Sequence, residues 1–567
     1  MLNSLTGHAP SHIVQKSARD ERSLTLLLGA IFLFQIVTIV LPLCFLLIRS
    51  VQDNDGGFVG LANFRRFMTE AGLAQAAINS VFIASISTVI TVSLGFAFAY
   101  LLTRTRTPFR STFRAVSMIP LLAPSLLPAL ALIYLFGQKG VLRDLMFGHS
   151  IYGPIGIVMA EVIFAFPQAV LILSTSLLMA DQRLYDAAVA MRAGPIRSFF
   201  AITLPSCRYG LVSATLAVFV KVFTDFGAPA VIGGSYPVLA TEIFKQVIGL
   251  FDFSMGAVVG LCLLVPALLS FIIERRVLRG NVSMVSAQSV PLTIKPNRAR
   301  DLAFLIFGGV VGVCFVALVG ITAFGSLVRY WPYNLSLTWA HYNFEAVDNT
   351  GLSVYAHSIL LALLTSLFGT ALVFLGAFLV ETVRGAAQLR AAVHFLSMVP
   401  LAIPGLVLGL SYIFFFNNPD NPLNVVYGTM TILVLSTIVH FYTVPHLIAL
   451  TALKQIDREF NAVCASLRVS RYRMLRSIVA PICLPAIVDI WGYLFVNAMT
   501  TVSAVIFLFS ADTQLASITI VRWNDAGKIA PASAMSIVIF VTIAVFMLLK
   551  NLLLARSIHR TQQWRSR

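Results

Sequence analysis

Charge is scarce in this chain. Only 11% of its 567 residues are Asp, Glu, Lys or Arg, against 58% hydrophobic, where a soluble domain carries roughly 25% charged residues. With a mean hydropathy of +0.88, a soluble globular protein is excluded and an all-α integral membrane protein is expected. Acidic residues are the scarcer sign, 23 against 40 Lys and Arg, for a net charge of +17. In a soluble chain that excess would point to nucleic acid. In a membrane chain basic cytoplasmic loops account for it, so the expected partner is the lipid bilayer and not nucleic acid. None of the six cysteines forms a C-x-x-C pair, which argues against a disulfide framework or a zinc site. No G-x-x-x-x-G-K-[ST] stretch is present to cradle ATP phosphates, and no H-E-x-x-H or G-x-S-x-G marks hydrolysis. No catalytic residue and no metal is therefore expected, and any energy source has to be another chain.

What is abundant is long apolar runs. A spanning helix needs ~20 such residues. Runs occur near 24–48, 76–102, 115–137, 151–180, 208–228 and 251–273, then near 302–328, 354–380, 391–416, 425–450, 482–508 and 530–554. The first begins too late and runs too long for a cleaved signal peptide. Twelve spans are expected, with a basic linker over 275–301 dividing a first half, 1–274, from a second, 302–567. With the N-terminus inside, the inner segments hold thirty Lys and Arg and the outer ones nine. That bias puts both termini in the cytoplasm.

Two polar segments interrupt this pattern. The stretch from Asp186 to Pro205 returns, altered, as Ala462 to Pro481, 276 positions later, with Arg192 on Arg468 and Arg197 on Arg473. Leu184, Ala187, Ala188 and Met191 stand at i, i+3, i+4, i+7, one helix face, and Phe460, Val463, Cys464 and Leu467 repeat it. Gly194 is expected to supply the turn after that helix, Pro195 to open a second short helix, and Pro205 to stop it. Ser117 to Pro124 likewise matches Ser397 to Pro404, and Asn79-Ser80-Val81 matches His357-Ser358-Ile359. The chain thus reads as a tandem 6+6 duplication, its halves related by an axis along the membrane normal. A lone polar segment could be an ordinary basic loop at the lipid surface; two in register point to a docking surface used twice.

At these residues the chain resembles a known family. Asp186-Ala187-Ala188, the turn, and Ile202-Thr203-Leu204-Pro205 are similar to the EAA loop of MetI-like type I permease subunits of bacterial ATP-binding-cassette (ABC) importers. The resemblance covers roughly 75–274 and 353–554 and implies an inner-membrane permease that is not itself an enzyme. It implies two copies of a cytoplasmic ATPase holding ATP and Mg, with no cofactor on this chain, and a periplasmic solute-binding protein. The coupling loops would be 183–205 and 459–481, with Asp186, Ala187, Ala188, Arg192, Gly194, Pro195 and Pro205 in the first and Ala462, Arg468, Ser470 and Pro481 in the second. The family's acid is Asp186 in one copy but Ala462 in the other, and its glycine is Arg192 and Arg468 here, so two unequal contacts are expected. Thr224 to Pro229, Val502 to Leu508, Leu239 to Gln246 and Asp525-Ala526-Gly527 resemble 2-aminoethylphosphonate permeases, which makes that phosphonate the expected solute; ferric iron and polyamines are the alternatives. A secondary transporter with six plus six spans is the rival of another class.

Ionisable groups inside spans are costly and face cavities or partners. Lys221 and Asp225, spaced i, i+4, either pair on one helix face or line a path with Glu161 and His440. Asn497 and Thr501 hold their places in the second half. Asp489 is expected in an ion pair near a membrane face and His446 in a packing role. Pro120, Pro124 and Pro128, with Pro400 and Pro404, are expected to kink or break the third and ninth spans.

Overall fold

A computed structural model describes residues 11–279, 290, 292–348, 351–383, 385–456 and 469–561. Among them, seven helices are long and apolar enough to cross a membrane: Glu21–Ser50, Ala71–Arg104, Pro154–Leu178, Phe253–Val277, Arg298–Leu327, Gly351–Thr382 and Ile529–Leu554. Five further pairs pass the same test but are bent by more than 40°, so the count reaches twelve if each pair is one span.

Proline explains where the sharpest bends fall. Arg110–Leu122 turns by 98° into Leu126–Phe136, and Ala387–Ala402 by 113° into Gly405–Phe416. Pro124 and Pro404 sit in the two breaks. Each lacks an N–H for the preceding turn, and each restarts a helix as the acceptor from Leu127 and Leu408, at 3.0 Å in both cases. The first helix shows the same physics more gently. Pro42 cannot donate to Thr38, and the helix passes through a π turn at Ile36–Val40. The Tyr412 hydroxyl donates to the freed Thr38 carbonyl at 2.9 Å, tying the first helix to Gly405–Phe416.

The segments after the fifth and eleventh apolar runs, which by sequence are either a surface for a binding protein or plain loops, fold back as short helices. Gly227–Ile232 and Leu239–Phe244 bury Ile232, Leu239 and Ile243, and Ala516–Asp525 buries Trp523. Matching hydrogen bonds hold both segments. Ser80 Oγ accepts from Leu239 N and Ser358 Oγ from Ala516 N, both at 2.8 Å. Asn79 Nδ2 donates to Pro237 O at 2.9 Å, and His357 Nδ1 lies 3.3 Å from Gln514 O.

Asp489 has its ion pair. Lys550 Nζ reaches Asp489 Oδ1 at 2.9 Å, and Gly492 leaves room for the lysine stem, since a Cβ there would lie 2.7 Å from Lys550 Cδ. His446 is fully buried, 3.3 Å from His394.

Candidate functional site

The first polar segment forms a short exposed lever. Asp181 caps the helix Gln182–Ala190 by accepting from Arg183 N. Only Ala188 of the expected apolar face is buried; Leu184 is 50% and Met191 75% exposed, with Val189, Ile196 and Phe200 exposed beside them. The face points away from this chain because its opposite side is anchored. Tyr185 Oη bonds Thr203 Oγ1 at 2.9 Å, and the Arg104 guanidinium lies over the Tyr185 ring while donating to Leu177 O at 2.8 Å. Asp186, exposed, accepts from Gln182 Nε2 at 2.7 Å, and Ala187 is also exposed. Sequence reasoning missed Arg104, Tyr185 and Thr203; Arg104 counted only as one more inner charge.

Two expectations about this segment need correcting. Gly194 does not make the turn: its φ is −65°, open to any residue. The left-handed position is Arg192, at φ 53°, where the resembling family has its glycine. Arg192 holds it because Ala193 N donates back to Ala188 O at 2.9 Å, closing the helix end against a cost of about 1–2 kcal/mol. Nor does Pro205 stop the helix. After Pro195–Ser198 the chain makes a π turn, Phe199–Thr203, and continues through Leu204–Ser206. Pro205 withholds an N–H from Ala201, so the ladder widens instead of ending. The bend, 65°, comes at Cys207, before Arg208–Thr224.

In the second copy, Ala462 and Arg468 lie outside the described residues. From Ser470 onward the order repeats: Arg471–Met474, a π turn at Leu475–Val479, Ala480–Ile482 with Pro481 inside, then a 77° bend into Leu484–Thr500. Ser470 adopts the extended conformation of Gly194 and accepts from Arg473 N at 3.3 Å. The levers are held differently. Linker residues brace the first, where Gln182 N donates to Val290 O at 3.0 Å and Thr293 N to Gln182 Oε1 at 2.9 Å. The N-terminal helix braces the second, through Tyr472 Oη to Ser23 Oγ at 3.2 Å.

Each lever runs on into a helix whose far end lines a central cavity of about 270 Å³. Lys221 lies in the first such helix with Asp225 just past its end, and Asn497 in the second with Thr501 just past its end; His440 joins them from the 57° bend between Met430–His440 and Thr443–Lys454. Pro445, without an N–H for Phe441, accounts for that bend. Glu161 does not line the cavity. It is fully buried behind it, its carboxyl within hydrogen-bonding reach of Asp225 and electrostatic reach of Lys221.

Lys221 and Asp225 do not form the helix-face ion pair that their spacing allows. The helix ends at Thr224, and Asp225 has left it with ψ 135°. Its Oδ2 accepts from Ala228 N at 2.9 Å, starting the helix Gly227–Ile232. The Lys221 ammonium sits 3.9 Å from the Phe164 ring centre and 3.4 Å from the Phe164 carbonyl. Asn497 Nδ2 bonds Tyr493 O at 2.7 Å, while Thr501 Oγ1 and His440 Nδ1 are buried without partners.

A pair of close contacts flanks the cavity. Ser125, beside the Pro124 break, packs against Gly227; on the other side Gly405, beside the Pro404 break, packs against Ser503. The serine and the glycine have exchanged places. A Cβ at either glycine would collide with the serine hydroxyl. Gly227→Ser alone is expected to destabilise the protein by about 1–3 kcal/mol, the usual cost of overpacking. Adding Ser125→Gly recreates the opposite half's arrangement and is expected to restore most of that loss. Thermal melting of the two single variants and the double variant measures the coupling; additive losses would show that the two sites do not share this contact.

Known proteins settle the family. No protein-family model matches the chain. Over 489 residues, 81% of this chain and 74% of the relative, it is 30% identical to a Haemophilus influenzae protein named as a ferric transport system permease, FbpB 1. The chain belongs to the permease subunits of ABC importers. A ferric transport system permease of Actinobacillus pleuropneumoniae is 29% identical over 85% of this chain and 72% of its own length. The molybdenum transport system permease ModB of Azotobacter vinelandii is 29% identical over only 29% of this chain, yet 76% of itself. ABC importer permeases are multi-pass inner-membrane transport subunits, and they work with an ATPase subunit and a periplasmic binding protein. The relatives' names speak of ferric iron and molybdenum, so the expected phosphonate specificity finds no support among them.

Proposed function

We propose that this chain is the fused two-half permease of an ATP-driven importer, and that its two levers open and close the central cavity. The observation that carries this is mechanical continuity. Each polar lever leads through one bend into a helix that ends in the cavity wall, at Lys221 and Asp225 in one half and at Asn497 and Thr501 in the other. The exposed apolar face of the first lever is the surface an ATPase would take. In this reading two ATPase copies carry ATP and Mg and grip unequal levers, and both termini are cytoplasmic, as the charge bias indicates. The halves are a tandem duplication of six spans each. Their support is the offset of 276 positions, the paired π turns and the paired Ser80 and Ser358 bonds. A relative that matches 29% of this chain with 76% of its own length is consistent with a half-sized unit.

Ferric iron is the solute that the relatives' names favour. One observation favours a zwitterion such as 2-aminoethylphosphonate instead: the cavity carries an ammonium, Lys221, as well as a carboxylate, Asp225. Ligand binding by the cognate periplasmic protein, measured by calorimetry over ferric chelates, phosphonates and polyamines, separates these readings, and ferric binding without phosphonate binding is the expected result. Uptake that persists in membranes lacking the ATPase and follows an ion gradient would overturn the importer reading itself.

A further inference from the structure

A second cavity, about 480 Å³, opens at the end of the molecule opposite the levers. It lies where Leu126–Phe136 and Arg298–Leu327 end and Ile529–Thr561 begins. Only nine Lys and Arg fall on outer segments by the charge reading, yet Lys139, Arg329 and Lys528 converge on this one cavity, whose lining includes no Asp or Glu. Among the described ion pairs none involves these three. All three are exposed; the Lys528 ammonium donates to the Val347 carbonyl at 3.0 Å and the Lys139 ammonium lies 5.7 Å from the Tyr333 ring, and neither Val347 nor Tyr333 lines the cavity. No carboxylate of the lining offsets these charges, and an anion in the hollow would.

The wall is aromatic. Tyr134 is 3% exposed because Gly325 faces it, where a Cβ would lie 2.6 Å from the ring. Trp331 meets Tyr134 edge-on at 5.3 Å, and Trp331 Nε1 is buried without a partner, while the Tyr134 hydroxyl faces Ser533 within hydrogen-bonding reach. Trp331 follows the strand Val328–Tyr330, whose partner is Asn334–Leu337. Around that hairpin Tyr330, Tyr333 and Trp339 are each more than 70% exposed, the composition of a membrane–water interface. A hollow at that level, with a cationic rim and an aromatic wall, fits a phosphate group attached to an apolar or small alcohol moiety.

We propose that this cavity binds a phosphate-bearing anion, its phosphate held between Lys139, Arg329 and Lys528. The site is separate from the solute cavity and depends only on the chain spanning a membrane, so it stands whichever solute is carried. Both a lipid headgroup and free phosphate have this chemistry. The test uses the full-length chain in nanodiscs of phosphatidylcholine, with or without phosphatidylglycerol. Native mass spectrometry counts retained phosphatidylglycerol, and tryptophan fluorescence follows titration of inorganic phosphate, with Trp331→Phe as the signal control. At least tenfold lower phosphatidylglycerol retention in Lys139→Gln/Arg329→Gln, regained in Lys139→Arg/Arg329→Lys, supports the site with a lipid source. A saturable phosphate response lost in the glutamine variant supports it with free phosphate. Should that variant melt early, Lys528→Met carries the same comparison. Equal retention and equal phosphate response in the wild type and every variant that melts normally would overturn the proposal.

Discussion

Aspartate at both Leu184 and Met191 is expected to abolish ATP-dependent uptake while leaving the spanning helices folded. Leu184 on Gln182–Ala190 and Met191 at its end are half and three-quarters exposed, so the substitution disturbs little packing within the chain. The helix is held by Ala188, the one buried member of that face, and from its other side by Tyr185 on Thr203 and by Arg104. What the aspartates change is the surface presented to a partner. Losing a central apolar contact in an interface costs about 2 kcal/mol or more, roughly thirtyfold in affinity, and a desolvated carboxylate adds to that. Co-purification of the ATPase and ATP-driven uptake into proteoliposomes both read the effect. Arg192→Gly is the geometric control, because glycine takes the left-handed turn without strain, and coupling should survive it. Full uptake by the double aspartate variant would mean that the face lies against lipid and transmits nothing.

The parts of the fold that were legible in the sequence were those written in residue type and spacing. Two prolines four apart, at 120 and 124 and again at 400 and 404, announced the two broken helices, because a missing N–H acts locally and needs no tertiary context. The offset of 276 pairs the two segments that hold the π turns, although the residues there read as a plain short helix. What stayed hidden depends on where a helix ends. The i, i+4 spacing of Lys221 and Asp225 promises an ion pair only while the helix continues, and it stops at Thr224. By residue type the turn after the first lever belongs to Gly194, since glycine is the usual left-handed residue, yet the hydrogen bond from Ala193 to Ala188 fixes that position at Arg192. The Ser125–Gly227 contact, its exchanged counterpart at Gly405 and Ser503, and the bracing of Gln182 by Thr293 join residues about a hundred positions apart. Periodicity within one helix carries no trace of them.

Lys221→Met is expected to change uptake by about tenfold or more, in a direction that names the solute. Lys221 is in no ion pair among the described residues, but the buried Glu161 and Asp225 lie within its electrostatic reach, and removing one charge of a buried set is destabilising. The melting temperature of Lys221→Met is therefore read beside its uptake, so that a folding defect is separated from a transport effect. Two unit charges about 4 Å apart in a partly hydrated cavity interact by about 4 kcal/mol, ample for a tenfold change at 1.4 kcal/mol per decade. For a solute with a phosphonate or other anionic group, the ammonium is the attractive contact and uptake falls. For a ferric solute the ammonium opposes entry, so uptake rises, while Asp225→Asn lowers it. Asp225→Asn also weakens the cap on Gly227–Ile232, and its melting temperature has to be read beside its uptake. If neither substitution alters uptake, the solute does not pass between Lys221 and Asn497, and the cavity is packing space between two moving halves.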